Sequence, residues 1–208
     1  MSDSNSIKFQ AMSSFNIGKL NGKLVLLVQF DGVMDDHIGL IDSITNGMLK
    51  SFIDSDIFKT LNAGNFTELN IFIKKELLSI LIFKKYQEYG ANDARLIGAN
   101  IAKAVNNKPS HIIIGSGGYP DEVAFGLKLR SYDFSKYKKL RSENNYITSL
   151  YVSDAQVTEN AFEEKAAISL GVNFTRDLIN EPANVLTTQE FSNRLESLES
   201  TGLRVEVL

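Results

Sequence analysis

Apolar residues recur at four-residue intervals in residues 160–179, and a proline follows at position 182. The repeated residues are Phe162, Ala166, Leu170, Phe174 and Leu178. This spacing is typical of one face of an α-helix, and a helix of about 20 residues is ~30 Å long. Because proline cannot continue a helix, we predict a long helix that ends before Pro182. A helix of this length is long enough to cross a domain face or to link two domains.

A second helix is predicted shortly after this proline. Thr187 and Glu190 have the spacing of a capping box at its start, and Gly202 suits its C-terminal cap. Phe191, Leu195 and Leu198 would form its buried stripe. Apolar residues then alternate over 203–207, which predicts a β-strand. The last 26 residues are therefore predicted to begin a further α/β unit.

The rest of the chain alternates between predicted strands and helices. Asp93 is predicted to cap the second helix, Pro120 to open the third, and a four-residue repeat from Leu40 to Phe52 to form the core face of the first. A mixed sheet flanked by helices, and so an α/β fold, follows from this order. The predicted strands are 7–9, 24–30, 69–73, 77–83, 112–114 and 147–152, and the helices are 34–58, 94–105 and 120–131. The strands 69–73 and 77–83 are predicted to form a hairpin with a charged tip at 74–76, Lys-Lys-Glu.

Composition restricts the class of protein only loosely. The chain has 208 residues, 43% hydrophobic and 23% charged residues, a net charge of −3 and no cysteine. Disulfides and thiolate chemistry are therefore excluded, and no overall positive charge attracts nucleic acid. No basic stretch followed by an apolar core opens the sequence, so we predict a cytoplasmic location. The apolar runs are too short to cross a membrane.

Two stretches resemble the leucyl (cytosol) aminopeptidase family. TRDLINEPANVLTTQEF at 175–191 is similar to the family's linker, in which an Arg-Asp-Leu-x-Asn-Glu-Pro-Ala-Asn core precedes a Thr-rich helix start. GLKLRSYDFSKYK at 126–138 is similar to the family's Gly-x-x-Leu-Arg-Ser-Tyr-x-Phe-x-Lys-Tyr-Lys stretch. Their order and spacing, with a strand and a long helix between them, also fit the family.

The resemblance implies a subunit of two parts. Residues 1–158 would form an N-terminal macro-like domain, residues 159–182 a linker helix, and residues 183–208 the beginning of a catalytic domain. In the family the catalytic domain holds two divalent metal ions, of the zinc or manganese type, and removes N-terminal residues, leucine among them, from peptides. The subunits assemble as hexamers, so the implied partners are the chain's own catalytic domain, like subunits and peptide substrates.

The family's catalytic segments are missing from this sequence. Neither the Lys-containing glycine-rich segment ending in Asp-Ser-Gly-Gly nor Asn-Thr-Asp-Ala-Glu-Gly-Arg occurs in the 208 residues. A two-metal site needs several converging carboxylates, so no catalytic, cofactor-binding or metal-binding residue is assigned. We expect the chain alone to be inactive and to serve subunit assembly and shielding of the active-site cavity.

Three local patterns allow other interpretations. Asp35, Asp36 and His37, with Asp31 nearby, are a carboxylate–histidine cluster, but three consecutive residues rarely converge on one metal ion, and a solvated loop is the simpler interpretation. His111 beside a buried strand is interpreted as structural. The turn at 115–118, Gly-Ser-Gly-Gly, lies between a strand and a helix, where backbone amides can hold phosphate. The alternative function is thus a stand-alone macro-like module that binds a nucleotide or ADP-ribose, although a plain tight turn explains the pattern too.

Charged residues near the two family stretches have structural or binding interpretations. Basic residues alternate with aromatic residues over 128–141, a pattern that can bind nucleic acid. Arg176, Asp177 and Glu181 are interpreted as a surface or interdomain ion pair, with Asn180 and Asn184 shaping the turn. The basic residues are Lys128, Arg130, Lys136, Lys138, Lys139 and Arg141, and the aromatic residues are Tyr132, Phe134 and Tyr137.

Overall fold

A computed structural model describes residues 5–73, 76–115, 117–138 and 146–207. Six strands form one sheet, and seven α-helices lie in the described part of the chain. The strands are β1 (Asn5–Ala11), β2 (Lys23–Val28), β3 (Phe66–Ile73), β4 (Glu76–Lys84), β5 (Ser110–Ile113) and β6 (Tyr146–Val152). The helices are α1 (Asp36–Ile44), α2 (Met48–Ile53), α3 (Asp56–Lys59), α4 (Ala91–Val105), α5 (Pro120–Arg130), α6 (Ala155–Asn180) and α7 (Thr188–Glu196), and short 3₁₀ helices lie at Met12–Ser14, Ile17–Lys19 and Ser197–Thr201.

The sheet has the strand order β1-β6-β5-β2-β4-β3. All neighbouring strands are parallel except β3, which pairs with β4 in antiparallel orientation. The predicted mixed sheet flanked by helices is therefore confirmed, as is the hairpin of the third and fourth strands. The charged tip predicted for this hairpin at Lys74 and Lys75 lies outside the described residues.

Each face of the sheet has its own apolar core. Along β2, Leu24 and Leu26 face one core and Val25 and Leu27 the other, because side chains alternate along a strand. The first core is covered by α1 to α3, and the second by α4 and α5, with Phe162 of α6 against it. Strands buried on both faces read as continuous apolar runs, which explains the composition of β2 and β4.

Helices α4 and α5 approach closely at two glycines. A Cβ atom at Gly98 would overlap the carbonyl oxygen of Val123, and one at Gly126 would overlap the carbonyl oxygen of Arg95. Glycine at both positions therefore lets the two backbones come into direct contact. Gly126 is also the first residue of the family-like stretch at 126–138, so this contact fixes where that stretch begins.

Ion pairs add a link from α4 through α5 to α6. Arg95 lies 2.8 Å from the carboxylate of Glu122, and Lys165 of α6 lies 2.8 Å from Asp121. Glu122 is buried, with 8% of its surface exposed. A buried carboxylate needs compensating charge. Arg95 and Lys165 therefore compensate the charges of the two acidic residues in the first turn of α5.

The predicted helix at 34–58 is wrong in its continuity and in its core face. Three short helices occupy this region, and Asn46 and Gly47 between the first two have left-handed backbone angles (φ 56° and 78°). Leu40 and Met48, predicted to face the core, are 46% and 44% exposed. The break at Asn46 resets the helical phase, so residues before and after it cannot share one stripe.

The long helix is confirmed, but it begins at Ala155 and its predicted stripe is wrong at Leu170. Asp154 caps this helix by accepting a hydrogen bond from the backbone of Val157 (3.0 Å). Leu170 is 49% exposed, whereas Thr158 and Ser169 are buried. A four-residue step advances about 40° beyond a full helical turn, so a run of such steps winds around the helix.

Two further local predictions are wrong. Asp93 does not cap α4, since Gly90 occupies the capping position and donates its N–H to the Asp93 carboxylate (3.0 Å). Residues 203–207 form no strand, because no other strand of the described chain lies beside them to accept their backbone hydrogen bonds. Gly202 does end the preceding 3₁₀ helix with a left-handed backbone (φ 90°).

We predict that Gly126→Ala lowers the free energy of unfolding by about 1–3 kcal/mol, because the added methyl group forces α4 and α5 apart. Gly171→Ala is the matched control, since no atom of a neighbouring element lies within 4 Å of a Cβ atom there. This control should raise stability by about 0.5–1 kcal/mol. Urea denaturation measures both values, and equal effects of the two substitutions would contradict the close helix contact.

Candidate functional site

The two family-like stretches, 126–138 and 175–191, lie against each other in the structure. Tyr132 donates a hydrogen bond from its hydroxyl to the carboxylate of Asp177 (2.8 Å). The same hydroxyl accepts a hydrogen bond from the side-chain amide of Asn180 (3.1 Å). A residue just after α5 is thus fixed to the last turn of α6.

Arg176 makes a second link between these stretches. Its guanidinium group donates a hydrogen bond to the carbonyl oxygen of Leu129 (2.5 Å) and lies 5.4 Å from the centre of the Tyr132 ring. The carbonyl of Leu129 belongs to the last turn of α5, where helix carbonyls lack partners within the helix. Arg176 therefore caps α5 from α6.

Glu181 is the centre of the contact between the stretches. Its side chain is 1% exposed. One carboxylate oxygen accepts hydrogen bonds from the ammonium of Lys136 (2.6 Å) and from the guanidinium of Arg194 (3.0 Å), and the other accepts one from the hydroxyl of Tyr137. Glu181 thus forms ion pairs, but the predicted partner is wrong, because its cations are residues 136 and 194 rather than Arg176, and its side chain is buried.

These hydrogen bonds hold Glu181 in its ionised form. The bonds from Lys136 and Tyr137, followed by the one from Arg194, lower the pKa of the Glu181 carboxyl from 4.5 to about 2 against the opposing effect of burial. The pKa of the Lys136 ammonium is raised in turn, mainly by its bond to Glu181. The group is a charge-assisted hydrogen-bond cluster, and we call these four residues the Glu181 junction.

Helix α7 is connected to the rest of the molecule through this junction. Arg194 binds Glu190 on its own helix (2.7 Å) as well as Glu181. Thr187 caps α7 as predicted, by accepting a hydrogen bond from the backbone N–H of Glu190 (3.2 Å). A capping box also requires the Glu190 side chain to accept a hydrogen bond from the backbone N–H of Thr187. This part of the prediction is wrong, because the Glu190 carboxylate binds Arg194 instead.

The turn after Pro182 leads into a segment that has no core of its own. The carbonyl oxygen of Pro182 accepts hydrogen bonds from Val185 and Leu186 (2.9 Å each), which close the turn. None of residues 182–207 is buried. Phe191 is 43% exposed and Leu203 is 58% exposed. Apolar side chains therefore remain in contact with solvent along this whole segment.

The carboxylate–histidine cluster of the sequence forms a loop and a helix cap. Asp31 accepts a hydrogen bond from the backbone of Val33 (3.0 Å), and Asp35 caps α1 by accepting one from Ile38 (2.9 Å). The Nδ1 atom of His37 is buried without a hydrogen-bond partner. Within the described ranges, no group of three or more histidine or acidic residues is arranged to hold a metal ion.

His111 has structural contacts on both ring nitrogens. Its Nε2 atom accepts a hydrogen bond from the backbone of Asn21 (3.3 Å), and its Nδ1 atom lies 3.2 Å from the hydroxyl of Tyr151. Burial lowers the pKa of the His111 imidazole. The structural interpretation made from the sequence agrees with these contacts.

The glycine turn at 115–118 lies at the carboxyl end of β5, with Ser116 outside the described residues. The carboxylate of Asp35 lies against Gly115, where a side chain would otherwise project. A carboxylate at this position repels phosphate. The hydroxyl of Tyr89 donates a hydrogen bond to the carbonyl of Gly118 (3.3 Å). Among the described contacts, none favours the nucleotide interpretation.

Sequence reasoning missed two buried lysines at the end of β4. The ammonium of Lys84 donates hydrogen bonds to the carbonyls of Phe58 (3.2 Å) and Lys59 (2.9 Å). Lys85 is 1% exposed, and desolvation lowers the pKa of its ammonium, although the charge of Asp35 opposes this. Two lysines after an apolar run usually mark a strand end at the surface, so no sequence signal distinguished these.

Three of the basic residues between 128 and 138 are buried or paired with an acidic residue, whereas Arg130 is exposed. Lys128 is buried, Lys136 belongs to the Glu181 junction, and Lys138 lies 2.7 Å from the carboxylate of Asp133. Tyr132 and Tyr137 bind carboxylates with their hydroxyls. The described part of this segment therefore packs the two stretches together, while Lys139 and Arg141 lie outside the described residues.

Comparisons with known proteins agree with the resemblance. The chain is 31% identical over 186 residues to a probable cytosol aminopeptidase of Dinoroseobacter shibae, with 89% of this chain and 38% of that protein covered. It is 28% identical over 202 residues to a probable cytosol aminopeptidase of Cereibacter sphaeroides, with 97% and 41% covered. The chain belongs to the leucyl (cytosol) aminopeptidase family. No protein-family model matches it.

The fold is similar to that of a solved aminopeptidase. A solved structure of a mutant of tomato leucine aminopeptidase is similar to this chain with a TM-score of 0.69 over 94% of this chain and 42% of that one, at 15% identity. The chain thus spans about two fifths of the length of the aminopeptidases that it matches. None of its described helices is long and apolar enough to span a membrane.

We predict that Glu181→Gln destabilises the protein at neutral pH and removes part of its sensitivity to acid. Because the folded pKa lies below the ordinary value, the carboxylate contributes fully above pH 4.5 and its contribution disappears as the pH falls towards about 2. The gap in unfolding free energy between the natural chain and Glu181→Gln should be constant above pH 5 and should close below it.

Denaturation curves measured between about pH 3 and pH 7 test this prediction. The exposed residue Glu163 of α6 supplies the control, and Glu163→Gln should change the unfolding free energy by less than about 0.5 kcal/mol. A gap for Glu181→Gln that stays constant down to about pH 3 would show that the Glu181 carboxylate is not held in its ionised form.

Proposed function

We propose that this chain is the non-catalytic N-terminal part of a two-metal cytosolic leucyl aminopeptidase, consisting of a macro-like domain and a linker helix. The observation that carries the proposal is the Glu181 junction. Three of its four residues lie in the two stretches that are similar to the family, the fourth, Arg194, follows in α7, and the junction explains why the two stretches contact each other. The parent enzyme would remove N-terminal residues from peptides.

The chemistry of the parent enzyme would reside outside these 208 residues. The two segments that supply metal ligands and the lysine in the family do not occur in the sequence. Zinc-type or manganese-type ions would therefore bind in the catalytic domain, where they would activate water and polarise the peptide carbonyl. In this chain no residue is assigned a catalytic role.

The contribution of this chain would be to position the catalytic domain. The junction fixes the end of α6 and the last turn of α7 relative to the loop after α5, because Glu181 is bound from 136 and 137 on one side and from 194 on the other. The exposed apolar residues after Pro182 would be covered by the rest of the catalytic domain. Subunit assembly into hexamers and shielding of the active-site cavity would follow from this fixed geometry.

An activity measurement tests the assignment of catalysis. We predict that the purified 208-residue chain does not hydrolyse Leu-p-nitroanilide, with or without added Zn²⁺ or Mn²⁺, while an authentic leucine aminopeptidase assayed beside it does. Metal-dependent hydrolysis by the chain that survives repeated purification would contradict the proposal.

The coding sequence gives a second and independent test. The proposal predicts that the reading frame continues past Leu208 and encodes a lysine-containing glycine-rich segment ending in Asp-Ser-Gly-Gly, followed by Asn-Thr-Asp-Ala-Glu-Gly-Arg. A frame that continues into an unrelated domain, or that stops at this point, would overturn it.

A further inference from the structure

Strand β3 forms one edge of the sheet and has few of the features that protect such edges. It pairs with β4 on one side and is the last strand in the sheet order. Its eight residues, FTELNIFI, contain one charged side chain and no proline or lysine. Natural edge strands are usually protected by charge, proline, bulges or short length, because their free backbone groups can pair with another chain.

The backbone groups of alternate residues in β3 point away from β4. Lys84 donates its backbone N–H to the carbonyl of Asn65 (3.0 Å) and accepts a hydrogen bond from Gly64 (2.8 Å), so 64 and 65 form a bulge opposite Lys84 in which the carbonyl of Asn65 points towards β4. In an antiparallel ladder hydrogen-bonded residue pairs alternate with pairs that are not hydrogen bonded. The N–H and C=O groups of Phe66, Glu68, Asn70 and Phe72 are therefore directed towards the open edge.

The side chains of these four residues lie on a face of the hairpin that is partly uncovered. Phe72 is 72% exposed, and Leu77, opposite it on β4, is 62% exposed. Phe66, at the other end of the strand, is 39% exposed and stacks on Phe83 with 4.9 Å between ring centres. The edge thus carries an aromatic residue at each end and polar residues in the middle.

We propose that β3 pairs with β3 of a second copy of this chain, antiparallel and around a two-fold axis at Leu69. Phe66 would then lie opposite Phe72 of the partner subunit, and Glu68 opposite Asn70 of the partner subunit. Four such residue pairs exchange about eight backbone hydrogen bonds. Phe66 of one copy packs on Phe72 and Leu77 of the other, which removes the most exposed aromatic side chain of the hairpin from water.

The charge pattern of the strand selects this register over its neighbours. Side chains keep to their faces only if the register changes by two residues at a time. A shift in one direction places Glu68 opposite Glu68 of the partner subunit, and like charges directly opposite each other are destabilising. A shift in the other direction places Glu68 opposite Phe72 of the partner subunit and loses the aromatic pairs.

Glu68 remains charged in the proposed pair. Its carboxylate accepts a hydrogen bond from Ser79 (2.6 Å) and lies 3.6 Å from Lys23. The bond from Ser79 is the main reason that the pKa of the Glu68 carboxyl is lowered. The partner is inferred to be a second copy because this register brings the exposed aromatic residues Phe66 and Phe72 together and keeps the two Glu68 carboxylates apart. This pairing does not rest on the proposed aminopeptidase function.

Substitutions at Asn70 test the pairing, because its side chain is exposed and lies opposite Glu68 of the partner subunit. Asn70→Glu should raise the dimer dissociation constant, and Asn70→Lys should lower it. With two equivalent pairs at each interface, each change should be between about twofold and thirtyfold. Sedimentation equilibrium of the 208-residue chain over about 1–300 µM measures these constants.

These measurements can also contradict the proposed pairing. A chain that is monomeric at the highest concentration, or a dimer whose dissociation constant is the same for Asn70→Glu and Asn70→Lys, would overturn the proposal. Circular dichroism of both variants shows that the fold is retained. Dimerisation that depends on exposed residues of α6 rather than on Asn70 would assign the interface elsewhere and would also overturn it.

Cysteine cross-linking tests the register directly, since the natural chain has no cysteine. Leu69 lies on the two-fold axis in a pair without hydrogen bonds, where the Cα atoms are about 4.5 Å apart. Leu69→Cys should therefore form a disulfide-linked dimer on mild oxidation. Asn70→Cys is the control and should not, because its opposite residue is Glu68. Cross-linking through position 70 in preference to position 69 would contradict the proposed register.

Discussion

The buried carboxylate of Glu181 is the interaction on which the arrangement of the C-terminal third of the chain depends. Three donors from two separate parts of the sequence bind it, and its side chain is almost completely removed from water. A buried charge is costly unless it is paired and hydrogen bonded. The chain must therefore bring 136, 137 and 194 to the same point, and this requirement fixes α6, α7 and the loop after α5 together.

The glycine contact between α4 and α5 complements this junction. Gly126 sets the position of α5 on α4, and Arg176 caps the other end of α5 from α6. The family-like stretch at 126–138 thus begins at a packing contact and ends at a charged cluster. Contacts made at both ends of this stretch therefore explain its sequence.

The order of strands and helices could be predicted from the sequence because the signals for it are local. These signals are the apolar runs of β2 and β4 and the prolines at 120 and 182, which mark the beginning or end of a helix. Contacts between segments that are far apart in the sequence could not be predicted in this way. The residue that matters most, Glu181, reads as an ordinary acid before a proline, and its burial depends on a lysine 45 positions earlier. Lys85 was missed for the same reason, since its burial depends on the strands and loops around it.

The errors in the helices have a different origin. The four-residue repeat through Leu170 was expected to follow one face of the helix, but such a repeat drifts around a long helix. The predicted helix at 34–58 failed because Asn46 adopts a left-handed backbone that the apolar repeat does not reveal. Apolar residues alternate over 203–207 as they do in a strand. A strand also needs a neighbouring strand to pair its backbone groups, and the local sequence pattern does not reveal whether one is present.

A double-mutant cycle between Tyr137→Phe and Arg194→Met tests most directly whether Glu181 unites these segments. Both residues bind the carboxylate of Glu181, each through its own hydrogen bond. The account predicts that their effects on the unfolding free energy are not additive, and that this coupling disappears when the same cycle is repeated in Glu181→Gln. Additive effects in the natural background, or a coupling that persists in Glu181→Gln, would contradict it.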